Sequence, residues 1–353
     1  MANDSSRQQI HFLDALRALA AWLVVWDHLV CVWPASNGIA VPIADWVEAN
    51  VNQPLGIIQS FGWFGVCLFF LISGFVITHV SLREDAVAFA IKRVFRIYPM
   101  LIVAVLLSLL LNPAARAQAT SESLLTNILL VNYWMHPQVV LVGVAWTLVI
   151  EVLFYALILV TYPLARRPML RVAALLAFVG AAIAAARGFG AAFFLFAASA
   201  AYVPYLIAGQ ILYLLLYRRS LSLGAAIALA ALTYAVLLMG LRAIHSAFLP
   251  LENSYLTSFA WALAVFLMAW HLGDRLRPGR AVQWLATTSY SVYLLHGIVG
   301  FFMLEWLTPR LGYGMALALA IAAIGGAVLL VHYGIERPTL AMGHRLAARA
   351  SPG

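Results

Sequence analysis

Ten apolar runs divide the chain, at residues 12–33, 61–82, 98–112, 139–161, 172–187, 193–217, 221–244, 255–273, 282–306 and 313–335. A helix needs ~20 such residues to cross the hydrocarbon core of a bilayer. A soluble domain has no place for so many long apolar runs, because it needs polar surface between its core segments. Composition agrees: 65% of the 353 residues are apolar and 10% are charged, against about 45–50% and about 25% in soluble domains. A soluble enzyme, a disordered chain and a nucleic-acid binder are thereby excluded. The sequence predicts an all-α polytopic membrane protein of about ten helices, a single membrane domain over residues 1–353. The third and fifth runs are the shortest. Segment 123–135 is too polar and brief to span, and reads as an interfacial or re-entrant piece.

Charge then sets sidedness. Let the N-terminus lie inside and let every run cross. Sixteen of the 21 Lys and Arg fall on the inner side: Arg7, four at 83–96, three at 166–171, Arg218, Arg219, three at 275–280 and three from Arg337 onward. Arg116, Arg187, Arg242 and Arg310 fall outside, and Arg17 lies within the first run. That asymmetry satisfies the positive-inside rule and places both termini in the cytoplasm. It also accounts for the net charge of +8 without a polyanion site. Residues Leu19–Val32 resemble the apolar core of a signal peptide, but they contain Asp27 and His28 and no small-residue cleavage site follows. Cys31 and Cys67 sit inside apolar runs and read as packing residues, with no metal site expected. The longest outer connection, Pro34–Ser60, reads as a loop containing Trp46 and three prolines. Val172–Ala201 is rich in Ala and Gly, which permits close helix packing.

Ionisable side chains near mid-membrane cost at least ~2.5–3.5 kcal/mol on insertion scales. They persist when paired or when lining a cavity. Asp14, Arg17, Asp27, His28, Glu151 and His296 are in this position. His79, His271, Glu305, His332 and Glu336 lie nearer run ends and read as snorkelling or interface contacts. Arg17 and His28 are eleven residues apart, so at ~100° per residue they share one helix face, separated by roughly 16 Å along it. Asp14 lies one turn below Arg17 and can pair with it. Glu151 needs a cationic or hydrogen-bonding partner, with Arg17 and His28 as candidates.

Four further segments stand out. AIKRVFRIYP reads as an inner loop bearing Lys92, Arg93 and Arg96. On a helical turn Arg93 and Arg96 point the same way and can clamp a phosphate or carboxylate; a topogenic loop holding anionic lipid heads has the same spacing. FGWFGVCLFFLISGF carries Gly62, Gly65 and Gly74, which permit close backbone approach. Its Ser73 has no base adjacent in sequence. In TTSYSVYLLHG, Tyr290 and Tyr293 share a face with His296 at its edge, which suggests a lined cavity. Trp146 opens WTLVIEVLFY, ahead of Glu151.

Taken together in order, these motifs resemble the membrane acyltransferase-3 family. FLDALRALAAWLVVWDH is similar to its first-helix signature, a basic residue followed by His (Arg17 and His28). GVCLFFLISGF is similar to its Phe-Phe-x-x-Ser-Gly segment (Phe69 to Gly74), KRVFRIYP to its Arg-x-x-Arg motif (Arg93 and Arg96), and WTLVIEVLFY to its Trp-[Ser/Thr]-Leu-x-x-Glu segment (Trp146 to Glu151). SYSVYLLH and IERP, at Glu336–Pro338, match its late motifs. Two features depart from the pattern. Cys67 stands where members often carry Asp before the Phe-Phe pair. The chain also ends about 18 residues past its last run, too soon for the C-terminal hydrolase-like domain that some members carry.

The resemblance implies a multi-pass enzyme of the inner (cytoplasmic) membrane. It would move an acyl group, most often acetyl, from acyl-CoA to a hydroxyl of an extracytoplasmic or lipid-linked carbohydrate. Acyl-CoA is then a co-substrate, and no permanently bound cofactor, metal or nucleic-acid partner is expected. On this reading Arg93, Arg96 and Lys92 take the CoA phosphates. Arg17 steadies the pantetheine arm or a phosphate, and His28 is the general base on the acceptor hydroxyl. Glu151 orients His28 or neutralises Arg17. Ser73, Trp146, Tyr290, Tyr293 and His296 line the cavity, and Trp26, Trp33 or Trp63 offers a face for a sugar. The residues alone leave a second class open, a proton-coupled transporter with Arg17, His28 and Glu151 as its relay. The absence of a visible inverted repeat counts against it.

Overall fold

A computed structural model describes residues 11–244, 252–276 and 278–350; Arg7 and Arg277 of the charge tally lie outside the described residues. Among the described residues the chain is helical and has no strand. Ten apolar helices follow in order. They are α1 (Phe12–Ser36), α2 (Gln59–Ser81), α3 (Ala86–Leu111), α4 (Gly143–Val160), α5 (Pro168–Ala184), α6 (Ala191–Tyr217), α7 (Leu223–Ala243), α8 (Ser254–Leu272), α9 (Arg280–Leu311) and α10 (Tyr313–Ala350). All but α5 are long and apolar enough to cross a bilayer, and α5 has 17 residues. The protein is thus an all-α, polytopic membrane protein.

Each expected run lies on one of these helices, and the differences have local causes. α3 begins at Ala86, so the segment read as a basic inner loop is helix. Asp85 caps it, its carboxylate accepting from the Val87 and Ala88 amides at 2.9 Å, and such a cap starts a helix wherever the next residues tolerate one. Pro99 lies inside α3 without ending it. The connection read as a loop over Pro34–Ser60 is largely short helices, at Trp33–Ser36, Pro42–Val47, Glu48–Asn52 and Gln53–Leu55. The three prolines stand in the opening positions of three of these, where a missing N–H costs nothing. The segment 123–135 begins inside a helix, Ser121–Ile128, closed at its start by a reciprocal Thr120–Ser123 cap.

The described chain forms two compact units, Met1–Ile72 with Asn253–Tyr293, and Ser73–Glu252 with Leu294–Gly353. In the first, Phe12 of α1 meets Phe266 and Trp270 of α8 edge-on at 5.6 and 5.5 Å. Trp63 of α2 meets Tyr255 at 5.1 Å. The Ile58 amide donates to Ser258 and the Trp261 indole to the Leu55 carbonyl. In the second unit a Cβ at Gly74 would overlap the Leu206 carbonyl oxygen, so α2 and α6 pack backbone to backbone there. Gly343 of α10 admits Phe95 of α3 in the same way. Buried Arg171, 1% exposed, ties α5 to α2 and α4 by donating to Ser81 Oγ, Thr161 Oγ1 and the Ile158 carbonyl.

Four stretches widen to π-helical hydrogen bonding: Asp27–Val32, Glu48–Asn52, Tyr213–Tyr217 and His332–Glu336. Such turns concentrate at functional sites. Two of them hold the acid–histidine pairs described next.

Candidate active site

In the first unit, α1 carries Arg17 and His28 as the spacing requires. Arg17 is paired to Asp14, with a guanidinium N–H donating at 3.1 Å, as expected one turn away. His28 lies in the π-helical turn with its side chain 27% exposed, so its imidazole is reachable from outside the protein core. Asp27, 6% exposed, brings Oδ2 to 3.9 Å from His28 Nε2. Asp27 Oδ1 is buried with no hydrogen-bond partner. The carboxyl fits only because residue 62 is glycine: a Cβ there would overlap Oδ2.

The backbone leading into Gly62 is strained. Gln59, Ser60 and Phe61 have φ of 53°, 45° and 77° in succession, a left-handed run costing of order 1–3 kcal/mol per residue for side chains other than glycine. This turn packs against both Asp27–Val32 and Glu48–Asn52. Glu48 Oε2 there accepts from Asn52 at 2.9 Å and from Ser60 at 3.4 Å. Tyr290 and Tyr293 of α9 are buried, and Tyr293 meets Phe69 edge-on at 5.4 Å.

The second unit gathers the basic motif and the two remaining glutamates. Glu151 accepts a short hydrogen bond from the Tyr155 hydroxyl and a long one, 3.5 Å, from Ser73 Oγ. Ser73 therefore does have a carboxylate beside it, supplied by α4 and invisible in the local sequence. Arg93 lies against the Phe89 and Tyr155 rings at 5.7 and 5.8 Å, and its buried Nε has no hydrogen-bond partner. Arg96, on the same helix face, has a different engagement: it donates to Glu336 Oε1 at 2.9 Å. Glu336 Oε2 is 2.8 Å from His332 Nδ1. The reading of His332 and Glu336 as interface residues is thus corrected. Glu336 is 1% and His332 6% exposed, at the two ends of the π-helical turn in α10. Lys92 pairs with Glu84 at 2.7 Å. Trp146 meets the Tyr202 ring at 5.3 Å, and His296 is fully buried.

No catalytic or binding role is legible in the sequence for Asp27, Tyr155, His332 or Glu336. Glu336 had a signal in hand, since it lies in one of the late motifs. Asp27 had one in its mid-membrane position. The pairing of Asp27 with Gly62 has none, because it joins two helices. Among the described residues no group of three or more His, Cys, Asp or Glu is placed to hold a metal ion.

Comparison with known proteins adds one extended match and one partial one. The sequence model of the acyltransferase-3 family, described as an acyltransferase domain, matches residues 10–332. Acyltransferase MdmB of Streptomyces mycarofaciens is 30% identical over 129 residues, 34% of this chain and 33% of that protein. The aligned region thus spans about a third of the curated relative. No solved structure matches.

Proposed function

The chain belongs to the acyltransferase-3 family, and from that membership we propose that it is a membrane O-acyltransferase that transfers an acyl group, acetyl first among them, from cytoplasmic acyl-CoA to a carbohydrate hydroxyl. The observation that carries this reading is the match over residues 10–332, which encloses Arg17, His28, Ser73, Arg93, Arg96 and Glu151 together.

Acyl transfer from a thioester needs a base for the hydroxyl, charge or donors for the tetrahedral oxyanion, and a hold on the donor. His28 serves as the base. An imidazole can both take up and release a proton, and the His28 side chain is partly exposed. It takes the acceptor O–H proton as that oxygen attacks the thioester carbonyl. The C–S bond then breaks, and the proton passes to the departing thiolate. Arg93 supplies the cation for a CoA phosphate, its Nε being unpartnered; Arg96 and Lys92 adjoin it on α3 with carboxylate partners of their own. Arg17 steadies the donor, and Glu151 holds Tyr155 against the face of Arg93. The acceptor is extracytoplasmic or lipid-linked. The enzyme lies in the inner membrane with both termini cytoplasmic, as the distribution of Lys and Arg favours.

Binding of acetyl-CoA to the detergent-solubilised protein tests the reading without knowledge of the acceptor. Saturable binding that an Arg93→Ala, Arg96→Ala double variant loses is the expected result. A folded wild-type protein that binds no acetyl-CoA, and moves protons or solute in vesicles instead, would overturn it.

A further inference from the structure

Asp27 is a carboxyl group that the fold encloses without satisfying. It is 6% exposed, Oδ1 has no partner, and Oδ2 lies 3.9 Å from His28 Nε2. A buried carboxylate left in this state is expensive, and folds normally pair such a group or replace it. Here the surroundings are instead shaped to retain it. Asp27 and His28 are consecutive residues of the π-helical turn Asp27–Val32, a departure from α-helical bonding that concentrates at functional sites. Gly62 leaves out the Cβ that would collide with Oδ2. The strained run Gln59–Phe61 delivers Gly62 to that point. Three separate costs converge on one carboxyl group beside one imidazole.

We propose that Asp27 is the positioning residue of an acid–histidine pair: it orients His28 and balances the positive charge that His28 acquires while it holds a proton. This rests on the reading of His28 as the base. With His28 neutral, Asp27 lacks a counter-charge. When the acceptor oxygen attacks the thioester carbonyl, its proton moves to His28, and the imidazolium faces Oδ2 across a gap that ion pairing closes. The C–S bond then breaks, the thiolate takes the proton, and His28 and Asp27 return to their starting state. Atoms and charge balance as alcohol plus thioester giving ester plus thiol. At 3.9 Å the Asp27 carboxyl group is near enough to act on a positive charge that forms on the imidazole. Of the other acidic groups around this turn, Glu48 is engaged by Asn52 and Ser60, and Asp45 is exposed on the short helix Pro42–Val47.

Diethyl pyrocarbonate tests the pair without any acceptor, because it acylates unprotonated imidazole only. The rate at His28 is read by peptide mass spectrometry on the solubilised full-length protein. Asp27→Asn keeps shape and removes charge, so His28 should label about three- to ten-fold faster at pH 6. Gly62→Ala, which displaces the carboxyl group without removing it, should act in the same direction. Asp45→Asn should leave the rate unchanged. In membranes supplied with radiolabelled acetyl-CoA, Asp27→Asn should lower kcat about 10- to 100-fold with KM for acetyl-CoA held within about two-fold. Equal labelling in wild type and Asp27→Asn, or His28 unlabelled in both, overturns the inference. A His28→Ala protein that transfers label at the wild-type rate overturns the reading of His28 as the base, whereas well-folded wild-type protein that transfers no label overturns the function reading itself.

Discussion

Glu336 and Asp27 are both carboxyl groups almost wholly withdrawn from solvent, and their surroundings differ. Glu336 has Arg96 on one oxygen and His332 on the other, at 2.9 and 2.8 Å. Asp27 has an imidazole at 3.9 Å and an oxygen with no partner. Each sits in or at the end of a π-helical turn next to a histidine, so backbone geometry does not separate them. Hydrogen bonding does. A buried carboxylate with both oxygens paired holds helices in register. One with an oxygen left over is poised to respond when charge appears beside it. On the proposal made above, the second unit's network holds α3 to α10 and the first unit's pair takes part in chemistry.

The hardest test of that division is His28→Ala. Loss of a general base typically costs 10²–10⁴-fold, and transfer of label from acetyl-CoA should fall by about that factor while the protein elutes and melts as wild type. A comparable loss of transfer in a well-folded His332→Ala would erase the distinction between the two pairs.

Glu336→Ala should act on stability. Breaking a buried ion pair by removing one partner costs about 3–5 kcal/mol. Arg96 keeps about a third of its side-chain surface exposed, so solvent reduces this to roughly 1–3 kcal/mol. Thermal unfolding in detergent reads it. Because Arg96 and Glu336 are in contact, Arg96→Ala combined with Glu336→Ala should cost less than the sum of the single changes. Strict additivity would mean that the pair does not hold α3 to α10.

The two arginines of α3 sharpen the contrast further. They share a helix face, but Arg96 is committed to Glu336, whereas the Arg93 guanidinium lies over the Phe89 and Tyr155 rings with Nε unpartnered. Arg93→Ala should therefore weaken acetyl-CoA binding about ten-fold, and Arg96→Ala by less than that at equal folded fraction. Isothermal titration or a filter assay on purified protein distinguishes them. The reverse order would show that the donor displaces Glu336 from Arg96.

The helical architecture was legible in the sequence because bilayer thickness fixes a run length that needs no tertiary information. The Asp14–Arg17 pair was legible for a similar reason, since both residues lie on one helix within a turn of each other. What escaped depended on backbone departures and on contacts between helices. The basic motif looked like a loop because three cations interrupt apolar residues; Asp85 capping carries helix through them, and their aliphatic stems leave the charges free to find partners. Glu336 looked like an interface residue because it follows an apolar run, and its partner Arg96 lies on α3, 240 residues away in sequence. Gly62 read as a packing glycine. Its neighbour, the Asp27 carboxyl group, belongs to another helix 35 residues earlier.

The smallest expected effect concerns Ser73. Its position before Gly74 in α2 fits a nucleophile on paper, and Glu151 stands near enough to suggest a base. The geometry argues otherwise. Glu151 Oε1 already accepts a much shorter bond from Tyr155, leaving Ser73 at 3.5 Å with a weak claim on the same oxygen. A hydroxyl in that position adds a marginal hydrogen bond worth about 0.5–1 kcal/mol. Ser73→Ala should therefore change kcat by less than about three-fold, whereas Tyr155→Phe, which removes the short bond, should lower stability or donor binding measurably more. An inactive, folded Ser73→Ala protein would place a reacting group in the second unit, and the partition between a holding network and a reacting pair would fail with it.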